Sequence, residues 1–351
     1  MKYRIFSSSE KAWEGMLAAI HGANKSIYLE MYILDDDARG REFFDALEAA
    51  AKRGVRTIVI LDVVGSYNFL SDAVGRIRAA GGEVLFCSFF FSRLHRKVLI
   101  IDEKVAFIGG VNVGAKYATW RDLQAQVQGP VVESVVRSFA RVYRKLGGKS
   151  QFVEAVIPEN PLRRASLWFV DHGIGRRRHL FRKYYIERLD RARESIVFVT
   201  PYLFPPRWFI AHIHQAILRG VRVEILLPEA TDYFFVNGIN RSYAASLASS
   251  GATILQTPGM NHSKAMLVDG KEGIIGSQNL DLLSFNFNIE GGIFFHDPEM
   301  VKDLSEIIAG WRAEGVAFEK SKAQSDRGGK LRWYDYPMAF FLRLFGFVPL
   351  Q

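Results

Sequence analysis

Cysteine is nearly absent from this 351-residue chain. Cys87 is the only one, so no intramolecular disulfide can form, and the composition suits a reducing compartment. Metal-ligand spacing is missing as well. His21, His172, His179 and His296 stand apart from any ligand-like partner, and His212 and His214 fall two apart in a segment of helical periodicity, where they point different ways. No uncharged apolar run reaches the roughly 18–20 residues of a membrane span, and the opening residues MKYRIFSSSE have no apolar signal core. The glycine fingerprints of dinucleotide and nucleoside-triphosphate sites are absent too. The expectation is a protein without a disulfide framework, membrane-spanning helix, metal or nucleotide cofactor.

What is present is a globular composition with a basic excess. Hydrophobic residues make up 49% of the chain, enough for a full core. Lys and Arg number 46 against 37 Asp and Glu, a formal charge of +9. Such a surface favours anionic partners, and both nucleic acid and acidic lipid qualify.

The chain also repeats itself. HRKVLIID (His95–Asp102) returns 167 residues later as HSKAMLVD (His262–Asp269). KSIYLEMYIL (Lys25–Leu34) resembles ESIVFVTPYLF (Glu194–Phe204), and AAAKRGVRTIVILD (Ala49–Asp62) resembles QAILRGVRVEILLP (Gln215–Pro228). A duplicated unit of about 160 residues accounts for all three. Within each unit the periodicity alternates: Ile27–Ile33 and Arg56–Leu61 read as strands, Arg41–Lys52 between them as a helix, and Gly54 and Gly220 stand where a helix stops before the next strand. The fold class is therefore α/β, two lobes related by a pseudo-twofold axis, each a mixed sheet flanked by helices. The expected halves are residues 1–155 and 156–318, bridged near Ile157–Pro161. Residues 319–351 form a basic, then apolar, tail suited to a membrane interface.

The repeated motif carries chemistry. On a strand, His95 and Lys97 project from one face, while Asp102, five residues on, faces away and has a structural role. His262, Lys264 and Asp269 repeat the pattern. GGVN (Gly109–Asn112) and GSQN (Gly276–Asn279) then place Asn112 and Asn279 at equal distances beyond the two aspartates. One H-x-K-x4-D arises by composition at about 1 in 10,000 starting points; two copies with matching Gly-x-x-Asn are not chance. Two such halves facing each other line a pocket with two imidazoles, two ammoniums and two amides, which suits a phosphodiester. The lysines and amides stabilise charge on the non-bridging oxygens, one histidine attacks phosphorus, and the other protonates the leaving alkoxide in line. Each imidazole needs an acceptor on its second nitrogen. Asp122, 27 residues after His95, and Glu290, 28 after His262, are the candidates, each spaced for the histidine of its own half.

The paired H-x-K-x4-D-x6-G-[GS]-x-N motifs resemble the phospholipase D superfamily over about Ser9 to Trp311, and within it the bacterial cardiolipin synthases of the short, peripheral type. GGVN, GSQN, Trp120-Arg121-Asp122 and Gly129-Pro130 carry that likeness. The resemblance implies a metal-free, covalent phosphohistidine mechanism. It also implies phosphatidyl transfer from one phosphatidylglycerol to another with release of glycerol, on the cytoplasmic side of a membrane. It points to His95 as nucleophile. Ser277, replaced by Gly110 in the first half, is placed beside His262 and expected to help fix it as the acid. Hydrolysis of the same lipid, nucleic-acid cleavage and phosphate binding without turnover are the rival readings.

Overall fold

A computed structural model describes residues 2–67, 71–88, 92–149, 166–173 and 179–318. The bridge expected at 157–161 and the tail 319–351 lie outside the described residues.

The first half runs β1 (Tyr3–Phe6), α1 (Ser9–His21), β2 (Ser26–Met31), α2 (Ala38–Lys52), β3 (Arg56–Asp62), α3 (Ser71–Ala79), β4 (Glu83–Cys87), β5 (Lys97–Ile101), β6 (Val105–Gly109), β7 (Gln124–Gln128) and α4 (Val131–Lys145). The second runs β8 (Leu167–His172), α5 (Leu180–Arg191), β9 (Ser195–Val199), β10 (Leu203–Phe204), α6 (Arg207–Leu218), β11 (Arg222–Pro228), α7 (Phe234–Ser249), β12 (Thr253–Thr257), β13 (Ala265–Val268), β14 (Glu272–Gly276), β15 (Leu280–Asp281), α8 (Leu282–Asn286), β16 (Glu290–Phe295), α9 (Pro298–Glu314) and β17 (Val316–Ala317).

The two large sheets are copies of one plan. The first has the order β1-β7-β6-β5-β2-β3-β4, and the second β8-β16-β14-β13-β9-β11-β12 with β17 added at its edge. In each, two parallel neighbours follow a central strand (β2-β3-β4, β9-β11-β12), and antiparallel strands complete the other side. Strand β2 is buried on both faces along its whole length, as a strand covered on both sides must be. Asp37 caps α2 by accepting from the N–H groups of Arg39 and Gly40, both at 3.0 Å, and Gly54, at φ +82°, turns the chain out of it. Gly220, at φ +86°, does the same after α6.

The halves share a core. One apolar cluster joins Ile58, Val98, Ile108 and the stripe of α4 (Val132, Val135, Val136, Phe139) to Val197, Leu226, Ile275, Ile293 and Leu304 of the second half. Two further clusters fill the outer faces, one per half. Tyr3 on β1 also donates to Asp303 on α9 at 2.9 Å. The site at the seam is thus backed by a continuous packed layer.

Candidate active site

Lys97 pairs with Met31, so the start of β5 lies at the carboxyl end of the parallel strand β2; Ala265 pairs with Val199 in the same way. The histidines sit just before these points, where the main chain leaves its own sheet and pairs across the seam. His95 N–H donates to the Ile289 carbonyl at 2.9 Å, and Ile289 N–H donates to the Arg93 carbonyl at 2.8 Å. In the mirrored place, His262 N–H donates to the Arg121 carbonyl at 2.7 Å, and Arg121 N–H to the Met260 carbonyl at 3.0 Å. The next residues along these crossing segments are Glu290 and Asp122.

The carboxylates are therefore exchanged. His95 Nδ1 donates to the Glu290 carboxylate, 3.0 and 3.1 Å from its two oxygens, and His262 Nδ1 donates to Asp122 Oδ2 at 2.7 Å. This corrects the pairing expected from spacing, which gave each histidine the carboxylate downstream in its own half. The cause is the backbone bridge: Arg121 pairs with Asn261, and Leu94 with Ile289, before each chain enters its next strand. A carboxylate on Nδ1 fixes the tautomer and leaves Nε2 of each ring for chemistry.

Ser277 also stands elsewhere than expected. Its hydroxyl donates to Glu290 Oε2, so it serves the His95 pair and not His262. At the matching place in the first half, a Cβ on Gly110 would collide with Asp122 Oδ1. The GG and GS variants of the repeat thus answer to two different carboxylates.

Those carboxylates are unequally supported. Glu290 accepts from Ser277 Oγ, from Ser284 Oγ at 2.9 Å and from Asn288 Nδ2 at 3.4 Å, besides His95. Burial pushes its carboxyl up, but His95, Lys97 and the Ser277 hydroxyl outweigh burial and hold it below the usual carboxylate range. Asp122 accepts from Leu123 N–H at 2.8 Å and from His262. Burial raises it to about 6, against the pull of Lys264. Burial lowers His95 despite Glu290. Burial, then the charges of Lys264, Lys97 and His95, lower His262 well below the ordinary imidazole value.

Both lysines are buried. Lys97 Nζ donates to the His95 carbonyl at 2.7 Å and stands 4.8 Å over the Tyr32 ring; Lys264 Nζ donates to the His262 carbonyl. Desolvation lowers Lys97 well below its ordinary value and Lys264 to about 8, with Asp122 and Glu290 opposing. Asn112 and Asn279 are buried, and their side-chain carbonyls take no hydrogen bond from the described residues. Asn112 is anchored through its backbone carbonyl, which accepts from Trp13 Nε1 at 2.9 Å, and Asn279 through its N–H, which donates to Ser284 Oγ at 3.1 Å.

Asp102 and Asp269 lie at the far end of their strands, away from the histidines. Asp102 accepts from the N–H groups of Asn24, Lys25 and Ser26, and Asp269 from those of Arg193, Glu194 and Ser195. Each has positive φ, 53° and 52°, in the turn between hairpin strands. Burial raises these carboxyls, and the backbone donors more than reverse it. Among the described residues, no group of three or more His, Cys, Asp or Glu is placed to hold a metal ion.

Three features went unread in the sequence. Tyr32 meets His95 edge-on with centroids 4.7 Å apart, and Tyr202 meets His262 at 6.2 Å; Leu34 and Leu203 are the equivalent residues that follow, so Tyr202 matches Ile33 and the repeat gave no signal for the pair. Trp120 packs on His262 at 5.2 Å. Arg96, between His95 and Lys97 and 1% exposed, donates from Nε to the Glu290 carbonyl at 3.0 Å and from Nη1 to Ser138 Oγ at 2.9 Å and Glu30 at 3.4 Å. Its counterpart in the second half is Ser263, so no internal match drew notice.

Comparison with known proteins agrees with this architecture. The solved phosphatidylserine synthase of Haemophilus influenzae superposes with a TM-score of 0.72 over 90% of this chain and 87% of that one, at 13% identity, a likeness of fold. The cardiolipin synthase 1 of Staphylococcus epidermidis is 31% identical over 92% of this chain and 68% of its own length. A cardiolipin synthase of Clostridium perfringens is 28% identical over 86% of this chain and 68% of its own. The family model described as "Cardiolipin synthase, PLD-like domain" matches residues 16–141 and 185–311, one match in each half, and the chain belongs to that family.

Proposed function

We propose that the chain is a phosphatidyl transferase working through a covalent phosphohistidine on His95. His95 Nε2 attacks the phosphorus of a phospholipid; the N–P bond forms as the P–O bond to the head-group alcohol breaks, and His262 Nε2–H gives its proton to the departing alkoxide. A second alcohol then delivers its proton to His262 and its oxygen to phosphorus, and the N–P bond breaks. Lys97, Lys264, Asn112 and Asn279 receive the charge that builds on the non-bridging oxygens.

The observation that carries this reading is the pair of imidazoles, each committed through Nδ1 to a carboxylate of the opposite half. The unequal support of those carboxylates favours His95 as nucleophile. A phosphorylated imidazole keeps a positive ring and needs an anion that will not take its Nδ1 proton. Glu290, held ionised by two hydroxyls and an amide, fits that need. Asp122, with fewer donors, suits a ring that cycles between charged and neutral.

Membership of the family makes the chain a phospholipase D-type phosphodiesterase or transphosphatidylase. The substrate we assign is phosphatidylglycerol as both donor and acceptor, giving cardiolipin and free glycerol, with residues 1–155 and 156–318 as the two catalytic halves. We place the enzyme peripherally on the cytoplasmic face of the membrane. No helix among the described residues is long and apolar enough to cross one. Incubation with phosphatidylglycerol vesicles should release glycerol and cardiolipin in equal amounts. Phosphatidic acid in place of cardiolipin would make water the acceptor, and nicking of plasmid DNA without lipid turnover would overturn the assignment.

A further inference from the structure

Nine large apolar side chains are exposed among the described residues, and seven gather in three short segments. Val64 and Tyr67 follow β3, Tyr233, Phe234 and Phe235 open α7 after β11, and Leu283 and Phe287 lie on or just after α8. Phe234 is 87% exposed and Tyr67 72%. Strands β3 and β11 run parallel to β2 and β9, so their carboxyl ends open on the same edges of the two sheets as the paired histidines. The contacts agree. Tyr233 packs against Phe235 at 5.9 Å and Tyr202 at 6.2 Å, and Tyr202 against His262. The Phe287 carbonyl accepts from Ser92 Oγ, three residues before His95. Tyr67, from the opposite half, is near enough to Tyr233 to add to the burial that raises its hydroxyl.

A soluble surface seldom collects so much apolar area in one place without an occupant. This collar lies beside the crevice, so a protein seated on it would cover the site. A lipid surface satisfies both at once, because it brings a phosphodiester to the crevice at the depth where side chains such as Phe and Tyr settle between head groups. Charges of both signs stand beside the collar: Arg93 near Tyr32, Lys116 near Tyr233 and paired with Asp35 at 3.2 Å, and Asp232 bonded to Tyr202 at 2.7 Å. We propose that this collar, contributed by both halves, is the surface by which the protein sits on an anionic phospholipid bilayer. The proposal rests on the phosphodiester reading of the crevice beside it.

The test uses the full chain, Tyr67→Asp and Phe234→Asp singly and together. Three readouts are needed: co-sedimentation with phosphatidylglycerol vesicles, turnover on those vesicles, and turnover of a short, water-soluble activated phosphodiester. Both positions are exposed, and the melting temperature checks that folding is retained. The double variant should lose vesicle binding and vesicle turnover by at least about tenfold, with soluble turnover within about twofold of wild type. Unchanged vesicle binding would overturn the collar. A wild-type dimer that dissociates in the variant would overturn it in favour of a second copy of the chain. Lost vesicle binding with no soluble turnover in any protein would leave the collar standing and remove the catalytic reading.

Discussion

His95 and Glu290 lie 195 residues apart in sequence and 3.0 Å apart in space, and His262 and Asp122 make the matching contact at 2.7 Å. Neither half pairs its motif histidine with a carboxylate of its own. The exchange separates two roles that spacing alone would have merged. Glu290→Gln should slow formation of the phosphoryl-enzyme, whereas Asp122→Asn should slow departure of a poor leaving group and spare an activated one. A short quench with an activated phosphodiester, followed by peptide mass mapping, reads both. His95→Ala should form no adduct, and His262→Ala should accumulate one. An adduct on His262 and none on His95 would reverse the roles.

Lys97 and Lys264 are buried, and the proposed mechanism gives both a part in stabilising transition-state charge. Replacing either with Met should raise the activation free energy by about 2–4 kcal/mol. Lys264 has its pKa lowered to about 8, so folding disfavours its charged form. Its loss should raise the melting temperature at neutral pH while turnover falls. Near-normal turnover would remove that lysine from the site.

The pH profile should be bell-shaped, with limbs belonging to the histidine pair as a unit. In the free site, burial and the two lysines drive the proton from His262. A bound phosphodiester adds negative charge beside the same ring and reverses that bias. The alkaline limb of kcat should therefore lie at higher pH than that of kcat/KM. Coincident limbs would mean that substrate charge does not reach His262.

His172 governs a separate acid sensitivity. It is fully buried, stacks on Phe181 with centroids 5.4 Å apart, and burial lowers its pKa to about 4. The unfolded chain takes up this proton near pH 6.5 and the folded one only near 4, so stability falls as pH drops through that window. The loss should be about 3 kcal/mol. Denaturant midpoints for wild type and His172→Gln between pH 7 and 4 should diverge by about that amount, and parallel curves would refute the assignment.

Arg96 should prove costly to remove. Its guanidinium lies between Glu30 and Asp171, at 3.4 and 3.9 Å, with all three buried. Arg96→Met leaves Glu30 buried without its cation, while Asp171 keeps Arg141, and should cost about 3–5 kcal/mol of stability. Arg96→Met with Glu30→Gln should recover part of it, which a double-mutant cycle would measure.

Much of this was written in local sequence. The short β-rich runs that mark β2 and β3, the glycines after α2 and α6, and the doubled H-x-K motif depend on near neighbours, and each fell where the local pattern put it. The structural reading of Asp102 and Asp269 followed from strand parity alone. The exchange of Asp122 and Glu290 did not. Spacings of 27 and 28 residues fit either pairing, and the choice is made by backbone bridges at Arg121 and Ile289 that leave no mark on residue type. Ser277 was misplaced for the same reason. The collar was hidden because exposed phenylalanine and core phenylalanine look alike in sequence.

The exchanged carboxylates also order events as the chain is made. Domains form from the amino terminus onward during synthesis. A nascent chain shorter than 262 residues holds neither motif histidine with its carboxylate, and His95 gains its partner only when Glu290 has been added. On the phosphohistidine reading proposed above, a growing or truncated chain with only the first motif thus lacks the carboxylate that orients His95. On that reading the chemistry waits until Glu290, the first residue of β16, has been added.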